Sequence, residues 1–302
     1  MSKEVNVSKD EFKGTILILL TAVISGFAII VNKFFVAEID PLVFTALRAL
    51  FIGLIFLAIS IYFSKDNKGH KFKQASWWSL LLIGIIGGAF AFWLFFAGLK
   101  MTLGGRAAFI HKTLPIYAVI LAFVFLKEKI SQRQLVAMGV MLLGLVLMEF
   151  TKLSAEMRIG DFLVLGATIL WAIENTISKK VMLNKESNWV ITFSRMFFGA
   201  IVLFAIIFLT GNANLLLTLT SAQIVKIAVS GLFLFAYVLT WYWGLKYINL
   251  SKASAILLLS PVISLFLGMA WLGEQVMMLQ AIGSVLILIG AYFVVRAKSG
   301  TR

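Results

Sequence analysis

Apolar runs long enough to cross a bilayer follow one another along almost the whole chain. "GTILILLTAVISGFAIIV" lies near the start and "SVLILIGAYFVV" near the end. Of the 302 residues, 61% are hydrophobic and only 13% charged. A soluble domain of that length could not hide so much apolar surface in one core, since ordinary globular chains sit near half apolar. The solvent for most of this protein is lipid. A spanning helix needs roughly 20 apolar residues. Cutting at charged or turn-forming segments, among them "EIDP", "SKDNKGHKFKQ", "KEKISQR" and "NKESN", predicts ten. They are helices 1 to 10, in order 14–36, 42–63, 77–99, 104–126, 132–150, 160–182, 189–210, 224–246, 251–272 and 277–296. The first run is too long for a signal-peptide core and no small-residue cleavage site follows it, so it reads as a retained helix. The expected class is an all-α polytopic membrane protein.

The chain carries 27 Lys+Arg against 13 Asp+Glu. In a soluble protein that excess would suggest nucleic acid. Here the basic residues are scattered through short loops with no basic domain to hold a polyanion, so no nucleic-acid partner is expected and topology explains them better. With the N-terminus inside, one side of the membrane holds Lys3, Lys9, Lys13, the 65–73 lysines, Lys127, Lys129, Arg133, Lys179, Lys180, Lys185, Lys246, Lys252 and the basic C-terminus. The other side keeps Lys33, Lys100, Arg106, Lys152, Arg158 and Lys226. The positive-inside rule then predicts cytoplasmic termini, in a protein of the cell (plasma) membrane. Trp77, Trp78, Trp241 and Trp243 would form an aromatic belt near the inner interface.

The chain also resembles itself at an offset of 146 residues. Gly98 falls on Gly244, Lys100 on Lys246, Ala107 on Ala253, Pro115 on Pro261, Glu128 on Glu274, Gln134 on Gln280 and Gly144 on Gly290. Gly14 falls on Gly160, Lys33 on Lys179 and, after one inserted residue, Arg48 on Arg195. Each half, 14–150 and 160–296, therefore holds five helices. Because five is odd, the second half enters the membrane from the opposite side. Inverted repeats of this kind build a mid-membrane cavity that rocking opens to either face.

The ten-helix layout of two inverted five-helix repeats resembles the drug/metabolite transporter superfamily, specifically the EamA-type permeases. The residues carrying the likeness are "LPIYAVILAFVFLKEKISQRQLVAMGVMLLG", its partner "SPVISLFLGMAWLGEQVMMLQAIGSVLILIG", and "LWAIENTISKK" in helix 6. The resemblance implies two EamA-like repeats and export or exchange of small metabolites, often amino acids. One position departs from it: related sequences often carry a Trp in helix 1 at the place of Trp171, where this chain has Ser25.

Ionisable groups inside a spanning helix cost roughly 2.5–3.5 kcal/mol on insertion scales and default to function. Lys112 lies about eight residues into helix 4, roughly 12 Å deep, and Glu174 about fourteen residues into helix 6, roughly 20 Å deep. One reading is a structural ion pair between Lys112 and Glu174. The other is a cavity in which they hold opposite ends of a substrate. Pro115 cannot donate a backbone hydrogen bond and frees the carbonyl of His111 beside the cation. Its repeat partner Pro261 should break helix 9 in the same way. His111 either bonds a neighbouring helix as a neutral ring or couples transport to protons, and Glu174 is a second candidate coupling acid. Asn175, Trp171 and Tyr237 complete the candidate substrate-binding set. Arg48 and Arg195, nearer helix ends, read as snorkelling residues with structural or gating roles. Glu128 and Glu274 read as loop-folding residues, and "GIIGG" at Gly84–Gly88 as a close helix contact.

The expected function is a secondary transporter, an exporter or exchanger, moving small polar metabolites by alternating access. Amino acids or related zwitterions come first, and organic anions or phosphate esters are the alternative. There is no GxxxxGK[ST] loop to bind a nucleotide, so transport draws on a gradient or exchange, with a proton or counter-substrate as partner. A membrane-embedded enzyme would need an HExxH helix, paired acids or an activated nucleophile. With two histidines and no cysteine, this chain is expected to be neither an enzyme nor a holder of metal or cofactor. A scaffold or receptor would have no use for inverted repeats.

Overall fold

A computed structural model of the chain describes residues 2–65, 76–149, 158–273 and 275–297. Ten of its helices are long and apolar enough to span a membrane. Helix 1 is Ser2–Val36, longer at its N-terminus than the apolar run alone suggested, and helix 2 is Pro41–Lys65. Helix 5 is Gln132–Glu149, helix 6 Ile159–Leu183, helix 7 Asn188–Leu209, helix 8 Ser221–Tyr247 and helix 10 Met278–Arg296. Helices 3, 4 and 9 are irregular. Helix 3 runs from Trp77 to Met101 with a π-helical stretch, Ile83–Phe90, in its middle. Helix 4 is Gly104–Lys112, a break at Thr113, then Leu114–Leu121 and a π-helical end, Ala122–Leu126. Helix 9 is Leu250–Ile256, a 3-10 turn at Leu257–Leu259, then Ser260–Leu272. A short helix, Asn214–Leu217, lies between helices 7 and 8.

The two prolines explain where helices 4 and 9 break. Each sits in the first turn of the segment after the break, the place where its missing N–H costs least. In helix 4, Thr113 N–H donates to Ile110 O at 3.1 Å, a tight turn that closes the first segment. Both breaks therefore occur at the same position of the repeat.

The chain packs as two compact units that are not its two sequence halves. One comprises Met1–Ile30, Gly104–Met157 and Ala236–Arg302; the other comprises Val31–Leu103 and Arg158–Phe235. In the first, Gly14 of helix 1 meets Gly244 of helix 8: a Cβ on Gly244 would lie 3.2 Å from Gly14 O. In the second, Gly98 of helix 3 meets Gly160 of helix 6, and a Cβ on Gly98 would lie 2.7 Å from Gly160 O. These four glycines are two repeat-related pairs, so each unit holds the same crossing, built from one helix of each half. Only hydrogen side chains let the backbones approach this closely.

Trp77 and Trp78 are exposed, whereas Trp241, expected in the same belt, is fully buried and stacks on Tyr237 with ring centroids 6.4 Å apart. An indole one turn from another ring on the same helix gains more from that contact than from the surface. The 66–75 loop and Glu274 lie outside the described residues.

Candidate functional site

The first unit carries Lys112 as the last residue before the break in helix 4. Its side chain is buried, only 5% exposed, and its Nζ donates to Ser25 Oγ of helix 1 at 3.3 Å. No carboxylate lies within ion-pair range of Lys112 among the described residues. Ser25 lies at the repeat position of Trp171. A hydroxyl there gives the ammonium an acceptor that an indole, a donor only, could not supply.

Beside Lys112 lies a narrow recess with room for about one water molecule. It is lined by His111, Lys112, Leu114, Pro115, Tyr237, Ser254, Leu257 and Leu258. The break in helix 4 and the 3-10 turn of helix 9 both face it. His111, half-buried, and Tyr237, stacked on Trp241, stand on its wall. Pro261 belongs to the break of helix 9 and does not line the recess. Discontinuous helices placed at equivalent points of two repeats are where carriers bind their cargo, because unpaired backbone is tolerated only beside protein or water.

The second unit holds Glu174, Asn175 and Trp171 on helix 6, all buried. The acid that the sequence offered as a partner for Lys112 is instead ion-paired with Arg195 of helix 7, Nη1 to Oε2 at 3.3 Å. Its other oxygen accepts from Ser178 Oγ at 2.6 Å, one turn along the same helix. The π-helical stretch of helix 3 makes room for this pair. A Cβ on Gly87 would stand 2.2 Å from Glu174 Cγ, and one on Gly88 would stand 1.8 Å from Arg195 O. Trp171 Nε1 donates to Gly87 O at 3.2 Å, and its ring meets Phe92 edge-on at 5.0 Å. The six candidate residues thus divide: His111, Lys112 and Tyr237 are gathered at the recess, while Trp171, Glu174 and Asn175 share helix 6.

Sequence reasoning missed what Arg48 and Arg195 do. Neither snorkels: they are 3% and 4% exposed. Arg195 points at Glu174 and stands 5.7 Å from the ring of Phe92. Arg48 lies over Phe44, Phe92 and Phe96 at 5.0, 5.3 and 4.9 Å and donates from Nη1 to Ser230 Oγ at 2.9 Å. The available signal was the recurrence of Arg at one position of both repeats. The depth of a residue in the membrane says nothing about which way its side chain turns.

Glu128 folds as expected for a loop residue. Its carboxylate accepts from Leu250 N at 2.8 Å, from Ser251 N at 3.0 Å and from Ser251 Oγ, closing the N-terminus of helix 9.

The sequence pattern of the EamA-like transporter family matches residues 12–150 and again 158–296. The chain belongs to that family. A transporter of Archaeoglobus fulgidus, itself uncharacterised, is 29% identical over 95% of this chain and 100% of its own length. YoaV of Bacillus subtilis, also an uncharacterised transporter, is 25% identical over 91% of this chain and 94% of its own. Protein PecM of Dickeya dadantii is 27% identical over 87% and 85%. A solved crystal structure superposes with a TM-score of 0.72 at 17% identity, covering 95% of this chain and 97% of the other, which shows the shared fold. The EamA-like protein is an integral membrane protein of ten spanning helices in two five-helix repeats.

Proposed function

We propose that this EamA-like protein is a secondary carrier, an exporter or exchanger, for small metabolites bearing a carboxylate. The observation that carries the reading is Lys112: a buried cation at a helix break, lining a recess, with a serine hydroxyl for company. A buried ammonium keeps its charge only where something compensates it, and a substrate carboxylate is suited to do so. His111 and Tyr237 on the same wall supply further polar contacts, and Ser254 a hydroxyl.

Amino acids fall within this class through their carboxylate. Recognition of their ammonium group by Glu174 has less support, because Arg195 already meets that charge. The same pairing favours the second reading, an organic anion without an amine. Counterflow in proteoliposomes tests both, using labelled neutral amino acids, dicarboxylates and sugar phosphates. Lys112→Gln should fold and lose most of the flux of whichever acid is carried. Wild-type flux in Lys112→Gln would sink the reading.

A further inference from the structure

Arg48 is the least compensated charge among the described residues of the second unit. Its guanidinium carries five N–H donors, yet its one hydrogen bond is to Ser230 Oγ, and Nε is buried without a partner. Among the described residues no carboxylate is within ion-pair range of it. Ser230 is already committed, donating to Asn32 Oδ1 at 2.6 Å. What surrounds the charge is three phenyl rings. Cation–π contact offsets part of the cost of a buried guanidinium but leaves its donors unused.

The repeat sharpens the anomaly. Arg195, the counterpart of Arg48, has a carboxylate in Glu174. The first-half counterpart of Glu174 is Ala28. The duplication thus retained the arginine in both halves and the acid in one. An uncompensated buried charge costs several kcal/mol, and a purely structural role would be filled more cheaply by an apolar residue.

We propose that Arg48 is an anion station, separate from Lys112, that takes a small organic carboxylate. The guanidinium fork receives the two oxygens in bidentate fashion, and Phe44, Phe92 and Phe96 receive the apolar remainder. The proposal deepens the carrier reading and gives the cargo, or the counter-substrate it exchanges for, an apolar body. Lysine would not serve equally, since an ammonium has no planar fork.

The test uses the purified full chain in detergent, with benzoate as probe, benzamide as its neutral isostere, and inorganic phosphate at matched ionic strength. Benzoate should raise the melting temperature saturably in the wild type and in Lys112→Gln, while benzamide and phosphate do not. Arg48→Met should fold, because it removes an uncompensated charge, and should bind benzoate at least tenfold more weakly. Arg48→Lys provides a second folded variant, with the same weakening expected from loss of the fork. The station is ruled out if benzoate does not shift the wild type, if phosphate shifts it and benzoate does not, or if the variants that fold keep the wild-type response. Counterflow of labelled benzoate against unlabelled benzoate separates this from the carrier reading. An Arg48-dependent shift without counterflow leaves the station standing as a site that binds benzoate without carrying it. Counterflow that Arg48→Met leaves unchanged rules out the station and leaves the carrier reading intact.

Discussion

Residue by residue, a buried charge costs least where a partner of suitable chemistry reaches it, a rule that Arg48 strains. Glu174 shows the rule most plainly, with Arg195 and Ser178 both turned to its carboxylate. Glu174→Gln should leave Arg195 facing an amide in a dry interior. Breaking one side of a buried pair typically costs about 3–5 kcal/mol, so the variant should melt at a clearly lower temperature. Adding Arg195→Met should restore most of that loss, since an apolar pair of similar volume is often neutral. If Glu174→Gln melts as the wild type does, the pair contributes nothing to the fold. The identity of Glu174 as a buried acid was legible in the sequence. Its partner was not, because which cation meets it, Lys112 or Arg195, depends on the turn of each side chain about its helix.

At the scale of helices, the informative feature is that irregularity recurs. Helices 4 and 9 both break just before their proline, and Glu128 ties the end of one to the start of the other by capping Leu250 and Ser251. A carboxylate at a helix N-terminus satisfies orphan N–H groups and meets the positive end of the dipole. Glu128→Ala should therefore destabilise the protein by about 1–2 kcal/mol, read as a lower midpoint in thermal melts. Glu128→Gln, which keeps one acceptor oxygen, should recover part of it. Equal melting of all three proteins would show that the cap carries no weight. The proline positions were readable from the repeat, and so was the close contact at Gly84–Gly88. The π-helical geometry of Ile83–Phe90 was not; it coincides with the stretch whose glycines pack on Glu174 and Arg195.

For the whole molecule, loop charge predicts an orientation. The lysine bias predicts that both termini and the 64–75 loop lie in the cytoplasm, and that expectation can be checked in intact cells. Single cysteines at Lys68 and at Asn212 should react with an impermeant maleimide from opposite sides, Asn212 from outside. The chain has no native cysteine to confuse the result. Labelling of both from outside would overturn the orientation together with the inverted-repeat argument behind it.

By itself the sequence determined the solvent, the ten helices, the duplication and the family, because each rests on local or periodic properties. A run of about 20 apolar residues is a helix in lipid whatever surrounds it. A repeat at one offset survives any rearrangement of the helices it encodes. Tertiary structure alone decided the rest: that the compact units mix helices from both halves, that Glu174 meets Arg195, that Ser25 receives Lys112, and that Arg48 turns into phenyl rings rather than toward the surface. Each of those depends on the direction of a side chain about its helix axis and on what a distant segment brings within about 4 Å, the range over which an ion pair in a poor solvent is worth its desolvation.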